Sequence, residues 1–447
     1  MRIQMLAPQT QLRHKRLLSI AFPLIVANIT TPLLGLVDTA ILGRMGGLHY
    51  LAGAAVGSLI ITQLYWVCGF LKMSITGLSA QADPTRAQSK VNVVVQGVLA
   101  SILLAIVILL LNPLILKAGL WFVGEQGLTN QSTVDYFETR IWGAPAALTN
   151  LVLIGWLVGQ QLTRSVLIIQ VFTNIINIIA SLVFVYFFDW GVTGVAAGTL
   201  VAEYASVVMC FSLVVKALSG QAYDLNLPNL ASLLRLASLN ANIFIRNLAL
   251  QFTLAFVTLI GVGYGTEAAA MNAILMQFFS LIALGLDGIA NAVESLVGRA
   301  KGQKDFVSLK KEVNTGLIWS SIIALLYTTV FYVFGDEILR LLSNNEDLFI
   351  LFEDYHVLVL LLPLVSHWCF LFDGVYVGLT AGKTMRNTML ISTLCVFLPT
   401  YYLNNSSGNM ALWLALLAFL ASRGVLLWGD YYLNTRRYPH TRLFGQP

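Results

Sequence analysis

LSIAFPLIVANITTPLLGLVDTAILG, residues Leu18–Gly43, is the stretch from which the fold is read. It is apolar throughout, with one charge, Asp38, and two prolines, Pro23 and Pro32. An aspartate held mid-bilayer costs about 2.5–3.5 kcal/mol on insertion scales, so such an acid normally faces a water-filled cavity and has a task there. A proline in the same helix removes one backbone hydrogen bond and permits a bend. A titratable acid on a bendable helix is what a proton- or sodium-coupled transporter requires.

The rest of the chain has the same character. Of 447 residues, 57% are hydrophobic and 11% charged, against about 25% charged in an ordinary soluble domain. The mean hydropathy is +0.78. Runs long enough to cross a bilayer fall at 17–42, 51–79, 92–116, 134–160, 165–188, 192–215, 234–260, 267–297, 314–334, 351–379, 387–403 and 409–433, giving an all-α polytopic membrane protein with twelve spans.

Charge asymmetry sets the orientation. With the N-terminus inside, nineteen Lys and Arg residues fall in cytoplasmic segments, from Arg2 and Arg13 through Lys310 and Lys311 to Arg437 and Arg442. Only three, Arg44, Lys117 and Arg340, fall on the other side. That asymmetry predicts an inner-membrane protein with both termini cytoplasmic. The net charge of +5 is therefore topology, and nucleic acid is not an expected partner. The first fifteen residues are polar and basic, so no signal peptide is expected. Cys68, Cys210, Cys369 and Cys395 lie inside apolar spans without CxxC spacing and read as small buried hydrophobes. The scattered histidines build no metal site, and no catalytic motif or cofactor site stands out.

An internal repeat divides the chain. GWLVGQQLTR (155–164) is echoed by DGVYVGLTAGKTMR (373–386), and Asn28, Thr39 and Gly69 by Asn247, Thr258 and Gly285. The expected domains are an N-lobe at 1–216, an inter-lobe linker at 217–233 and a C-lobe at 234–447, six spans each, around a central cleft. Gly155/Gly159 and Gly374/Gly378 have the small-xxx-small spacing of helix packing.

Within the spans, Asn177 and Ser181 lie four apart on the fifth, and Thr199 and Glu203 four apart on the sixth, so each pair shares a helical face. Asp38, Asn177, Ser181, Thr199 and Glu203 together offer carboxylate, amide and hydroxyl oxygens, suited to a proton relay or a small cation. The three neutral residues also suit interhelical hydrogen bonding, and Glu203 suits an ion pair with a buried cation. In the C-lobe, Asp287, Asn291 and Glu294 form one polar stripe, which either lines the cleft or joins a network with Arg246. Met271, Asn272, Met276 and Gln277, with Tyr65 and Trp66, offer soft surface for varied ligands.

PLIVANITTPLLGLVDTAILGRMGG (23–47), NIINIIASLVF (174–184), GVTGVAAGTLVAEYA (191–205), LGLDGIANAVESLVGRAKG (284–302) and DGVYVGLTAGKTMRN (373–387) together resemble the multidrug and toxic compound extrusion (MATE) transporters, specifically the DinF-like branch. The resemblance runs from Pro23 to the twelfth span. It implies two lobes and export of organic, often cationic, compounds in exchange for H⁺ or Na⁺. It places the family's coupling aspartate on Asp38, its bending proline on Pro23, its asparagine on Asn177 and its threonine on Thr199. A second acid usual in the branch falls on Ser181, a departure that favours the proton over sodium. The branch's eighth-span acid matches Glu294.

The expectation is thus a monomeric secondary exporter of small toxic compounds, not an enzyme, with H⁺ as coupling ion and Na⁺ the alternative. A lipid- or polysaccharide-precursor flippase is the rival within the superfamily, but it would want cleft-facing cations for pyrophosphate and usually has fourteen spans. The major facilitator class is disfavoured by the loop SAQADPTRAQSK (79–90), which lacks its GxxxDRxGRR-like signature. No GxxxxGK[ST] motif appears, so an ATP-driven pump is not indicated.

Overall fold

Glycine and proline set where the apolar runs break. The computed structural model describes residues 2–45, 47–123, 128–220, 222–224, 228–343 and 345–437; Arg442 and parts of the 217–233 linker lie outside them. Among these residues the structure is helical, in sixteen α-helices: α1 (Arg2–Gly43), α2 (Leu48–Val67), α3 (Phe70–Gln81), α4 (Ala87–Leu110), α5 (Asn112–Val123), α6 (Leu128–Arg140), α7 (Ala144–Gly159), α8 (Thr163–Tyr186), α9 (Gly191–Leu218), α10 (Leu230–Val262), α11 (Thr266–Gly302), α12 (Phe306–Leu342), α13 (Glu346–Gly378), α14 (Gly382–Ile391), α15 (Leu398–Leu403) and α16 (Asn409–Arg437).

Several spans are assembled from two pieces. The second is α2 and α3, separated at Cys68–Gly69, where Gly69 N–H reaches back only three residues to the Trp66 carbonyl. Its repeat counterpart, Gly285, sits inside the unbroken α11. The fourth span is α6 and α7, joined by a tight 3₁₀ turn at Ile141–Gly143, with Pro145 unable to donate a hydrogen bond at the start of α7.

Eleven stretches are long and apolar enough to cross a membrane among the described residues. The expected span at 387–403 is the remaining one. It is divided into α14, a π-helical turn at Ser392–Phe397 and α15. Pro399, lacking its N–H, stands two residues after that turn, in the first turn of α15, and accounts for the widened hydrogen bonding. With it the fold has twelve membrane helices, six in each half.

Packing divides the described residues into two units: Val26–Ala237, and Met1–Ile25 with Ser238–Pro447. The expected N-lobe boundary at residue 1 therefore needs correcting. The first part of α1 packs with the C-terminal unit, where Ile25 closes against α11 so tightly that a Cβ on Gly288 would lie 2.2 Å from Ile25 Cγ1. The change of allegiance comes two residues after Pro23.

Inside each unit the repeat is visible in three dimensions. A Cβ on Gly155 or Gly159 would come within 2.7 Å of backbone oxygens of α3, and one on Gly374 or Gly378 within 2.4 Å of those of α11. The helices that carry these glycines, α7 and α13, end alike. Gln161 and Thr380 take left-handed φ of 64° and 50°, and Leu162 and Ala381 donate to carbonyls five residues back, at 2.9 and 3.0 Å. That is a Schellman end in both halves. In lipid there is little hydrophobic drive between helices, so this close contact and dispersion hold them together. In the C-terminal core Phe278 stacks on Phe352 and meets Phe331 edge-on, while Leu110, Phe187 and Leu403 lie outward, where a bilayer covers them. Cys68, Cys210 and Cys369 are buried as expected, but Cys395 is exposed on the π turn.

Candidate functional site

Two glycines of α9 bring the N-terminal unit's polar residues together. Gly194 and Gly198 let α9 lie directly on α8, and a Cβ on Gly198 would be 2.6 Å from the Ser181 nitrogen. At that distance Asn177 Nδ2 donates to Thr199 Oγ1 at 2.8 Å, and Thr199 Oγ1 donates to the Val195 carbonyl at 3.2 Å. Asn177 and Ser181 are fully buried. Asn177 Oδ1 and Ser181 Oγ have no hydrogen-bond partner among the described residues, leaving two oxygens available to a ligand.

Asp38 is held over the same helices. Its neighbours Val37, Ile41 and Leu42 pack with Tyr136 of α6, Val185 of α8, and Val192, Val195 and Ala196 of α9. Asp38 Oδ1 is buried with no hydrogen-bond partner among the described residues. Tyr136 and Arg140 lie within range of its charge. Burying an unpartnered carboxylate oxygen is costly, so this is a group that gains from taking up a proton or a cation.

Glu203 sits one turn beyond Thr199 and is differently placed. Arg140 grips it with both arms of its guanidinium: Nη1 donates to Oε2 at 2.7 Å and Nη2 donates to Oε1. The 3₁₀ turn after Arg140 makes this possible, since a Cβ on Gly143 would lie 2.5 Å from both Arg140 Nη1 and Glu203 Oε2. Tyr65 lies beneath the guanidinium, 5.6 Å from ring centre to Cζ. The sequence offered Glu203 as either a coupling acid or an ion-pair partner. In the structure its charge is matched by Arg140, and Asp38 is left as the acid of this cluster without a contacting cation.

The expected C-lobe cleft needs correcting in part. Met271 is fully buried in the C-terminal core. Asn272 exchanges hydrogen bonds with Asn409, at 2.8 and 2.9 Å, and accepts from Trp413 Nε1 at 2.6 Å, while Asn409 also donates to Tyr355 Oη. This is a closed structural network, and neither residue faces a cleft. Gln277 is exposed and Glu294 buried. Asn291 donates to the Asp287 carbonyl within its own helix at 2.8 Å. Arg246 pairs with Asp373 at 2.5 Å, and Arg423 pairs with the same carboxylate; Asp287 of the stripe also lies within range of the Arg423 charge. Among the described residues no group of His, Cys, Asp and Glu is arranged to hold a metal.

The MatE family pattern matches residues 23–183 and again 243–403, once in each half. The chain belongs to the MatE family. It is 36% identical to DNA damage-inducible protein F of Escherichia coli K12 over 94% of this chain and 93% of that one. It is 22% identical to the multidrug resistance protein NorM of Photobacterium profundum over 75% of each. A crystal structure of MATE in the bent conformation superposes with a TM-score of 0.84 over 96% of this chain and 98% of its own, at 17% identity. This MatE protein is a multi-pass membrane transporter and not an enzyme, in a family that handles drugs and toxic compounds.

Proposed function

We propose that this MatE protein exports organic cations from the cytoplasm in exchange for protons, with Asp38 as the exchanging group. The observation that carries the reading is the buried, unpartnered Oδ1 of Asp38 on a membrane-spanning helix. In that setting a proton and an organic cation are alternative ways of satisfying one carboxylate, and their competition is by itself a coupling free energy. Protonation from outside releases the drug; deprotonation inside readies the site for the next one.

Pro23 is the proposed hinge. It lies inside α1 and beside the point where that helix changes units, and it frees a backbone carbonyl there, so a small change in how Asp38 is satisfied can alter the helix's path. Sodium is the weaker alternative because Glu203 is engaged by Arg140 and Ser181 supplies only a hydroxyl. A dehydrated Na⁺ would find one formal charge with the neutral oxygens of Asn177, Ser181 and Thr199. Nineteen cations against three support placing both termini in the cytoplasm of an inner membrane.

The test is ethidium efflux from liposomes holding the purified protein, under pH and sodium gradients imposed separately. Export driven by the pH gradient alone, with little response to sodium, is expected. Sodium-driven export at clamped pH would replace the proton in this scheme.

A further inference from the structure

The first turns of α1 and the start of α12, both in the C-terminal unit, border a half-open recess of about 250 Å³, on the part of α1 that precedes Pro23 and outside the unit that holds Asp38. Arg13, His14, Lys311, Asn314, Thr315 and Ile318 line it. Arg13 and Lys311 make no ion pair among the described residues, and no carboxylate lines the cavity. Asp305 and Glu312 lie within range of Arg13. The Asp305 carboxylate accepts the Ser308 N–H at 2.9 Å, and the buried Glu312 acts on both Arg13 and Arg16, offsetting part of their charge. Arg16 and Arg299 lie close enough to interact, so four cations surround the recess against the two carboxylates of Asp305 and Glu312.

His14 adds a donor of fixed identity. Trp319 Nε1, which only donates, bonds to His14 Nδ1 at 3.0 Å. Nδ1 is therefore the acceptor, and Nε2 carries the proton. The cavity thus combines two cations, an imidazole N–H and the Asn314 amide, all suited to phosphate oxygens. Below them, Ile318 is half-exposed and stands where α12 turns from its basic start into its apolar run, as α1 does at Leu18.

We propose that this cavity binds the phosphate of an anionic phospholipid headgroup, with the acyl chains descending past Ile318. Basic recesses between membrane helices at the cytoplasmic level are suited to such headgroups. A free phosphate would use the same cations, but it would gain nothing from the apolar wall beneath them.

The full-length protein in phosphatidylcholine nanodiscs doped with phosphatidylglycerol provides the test, reading protein-retained lipid by mass spectrometry. The parent is expected to retain phosphatidylglycerol over phosphatidylcholine. Arg13→Gln/Lys311→Gln should bind it about 30-fold more weakly, and Lys311→Gln alone, at an exposed position, about fivefold. Lys15→Gln, an exposed neighbour outside the cavity, should match the parent. Equal retention by parent and Lys311→Gln, or no preference for the anionic lipid, overturns the proposal. So does displacement of the lipid by millimolar inorganic phosphate, which would assign the cavity to the free anion.

Discussion

Replacing Glu203 by leucine would leave the Arg140 guanidinium buried without its carboxylate. The two side chains are only 8% and 15% exposed, so water cannot replace the lost acceptor. Removing one partner of such a pair costs about 3–5 kcal/mol. For a cooperative unit of roughly 200 residues that corresponds to about 6–20 °C in Tm. The double variant Arg140→Met/Glu203→Leu removes both charges and should recover most of the loss, since apolar replacement of a complete buried pair is often neutral. Unfolding followed by intrinsic fluorescence of the purified protein in detergent measures both, and ethidium efflux measures the consequence. The double variant is expected to retain proton-driven export. A Glu203→Leu protein that is as stable as the parent yet unable to couple would refute the structural role and return Glu203 to the coupling machinery.

The remaining predictions are smaller. Gly378→Ala puts a methyl 2.4 Å from the Glu294 carbonyl oxygen, a backbone atom that cannot swing away; a loss of about 1–3 kcal/mol should appear as reduced folded yield, and an unaltered yield would contradict the close packing of α11 on α13. Asp305 caps α12 by accepting the Ser308 N–H, which holds its carboxyl below the usual carboxylate range. Asp305→Ala should cost about 1 kcal/mol at neutral pH. Because the folded value is the lower one, that difference is present above about pH 4 and fades as the pH falls below it, as unfolding at several pH values would show. Ser181→Asp adds a second carboxylate to the cluster and should raise the pH optimum of efflux and create sodium stimulation; an unchanged ion response would place Ser181 outside the ion's reach.

How far each feature was legible depended on whether helix periodicity alone could place it. The pairs Asn177/Ser181 and Thr199/Glu203 share faces by spacing, and the Asn177–Thr199 bond follows once α8 and α9 lie together. The cause of that contact, Gly194 and Gly198, was present in the quoted motif but unread. Arg140 and Glu203 were both visible as buried charges, yet their pairing depends on the 3₁₀ turn at Ile141–Gly143, which composition does not announce. Asn272 was misplaced for a related reason. A lone asparagine among methionines reads as binding surface until its partner Asn409, 137 positions away, is known. The sharing of α1 between two units is a packing property with no local signature. The divided span at 387–403 did have one, Pro399, and its effect is confined to a single turn.

Proton release on drug binding tests the central claim most directly. Purified protein in weakly buffered detergent, mixed with ethidium beside a pH-indicator dye, should release about one proton per drug bound. Asp38→Asn keeps the shape of the side chain and removes its proton, so it should release none while remaining folded. Undiminished release from Asp38→Asn would contradict the assignment of Asp38 as the group for which drug and proton compete.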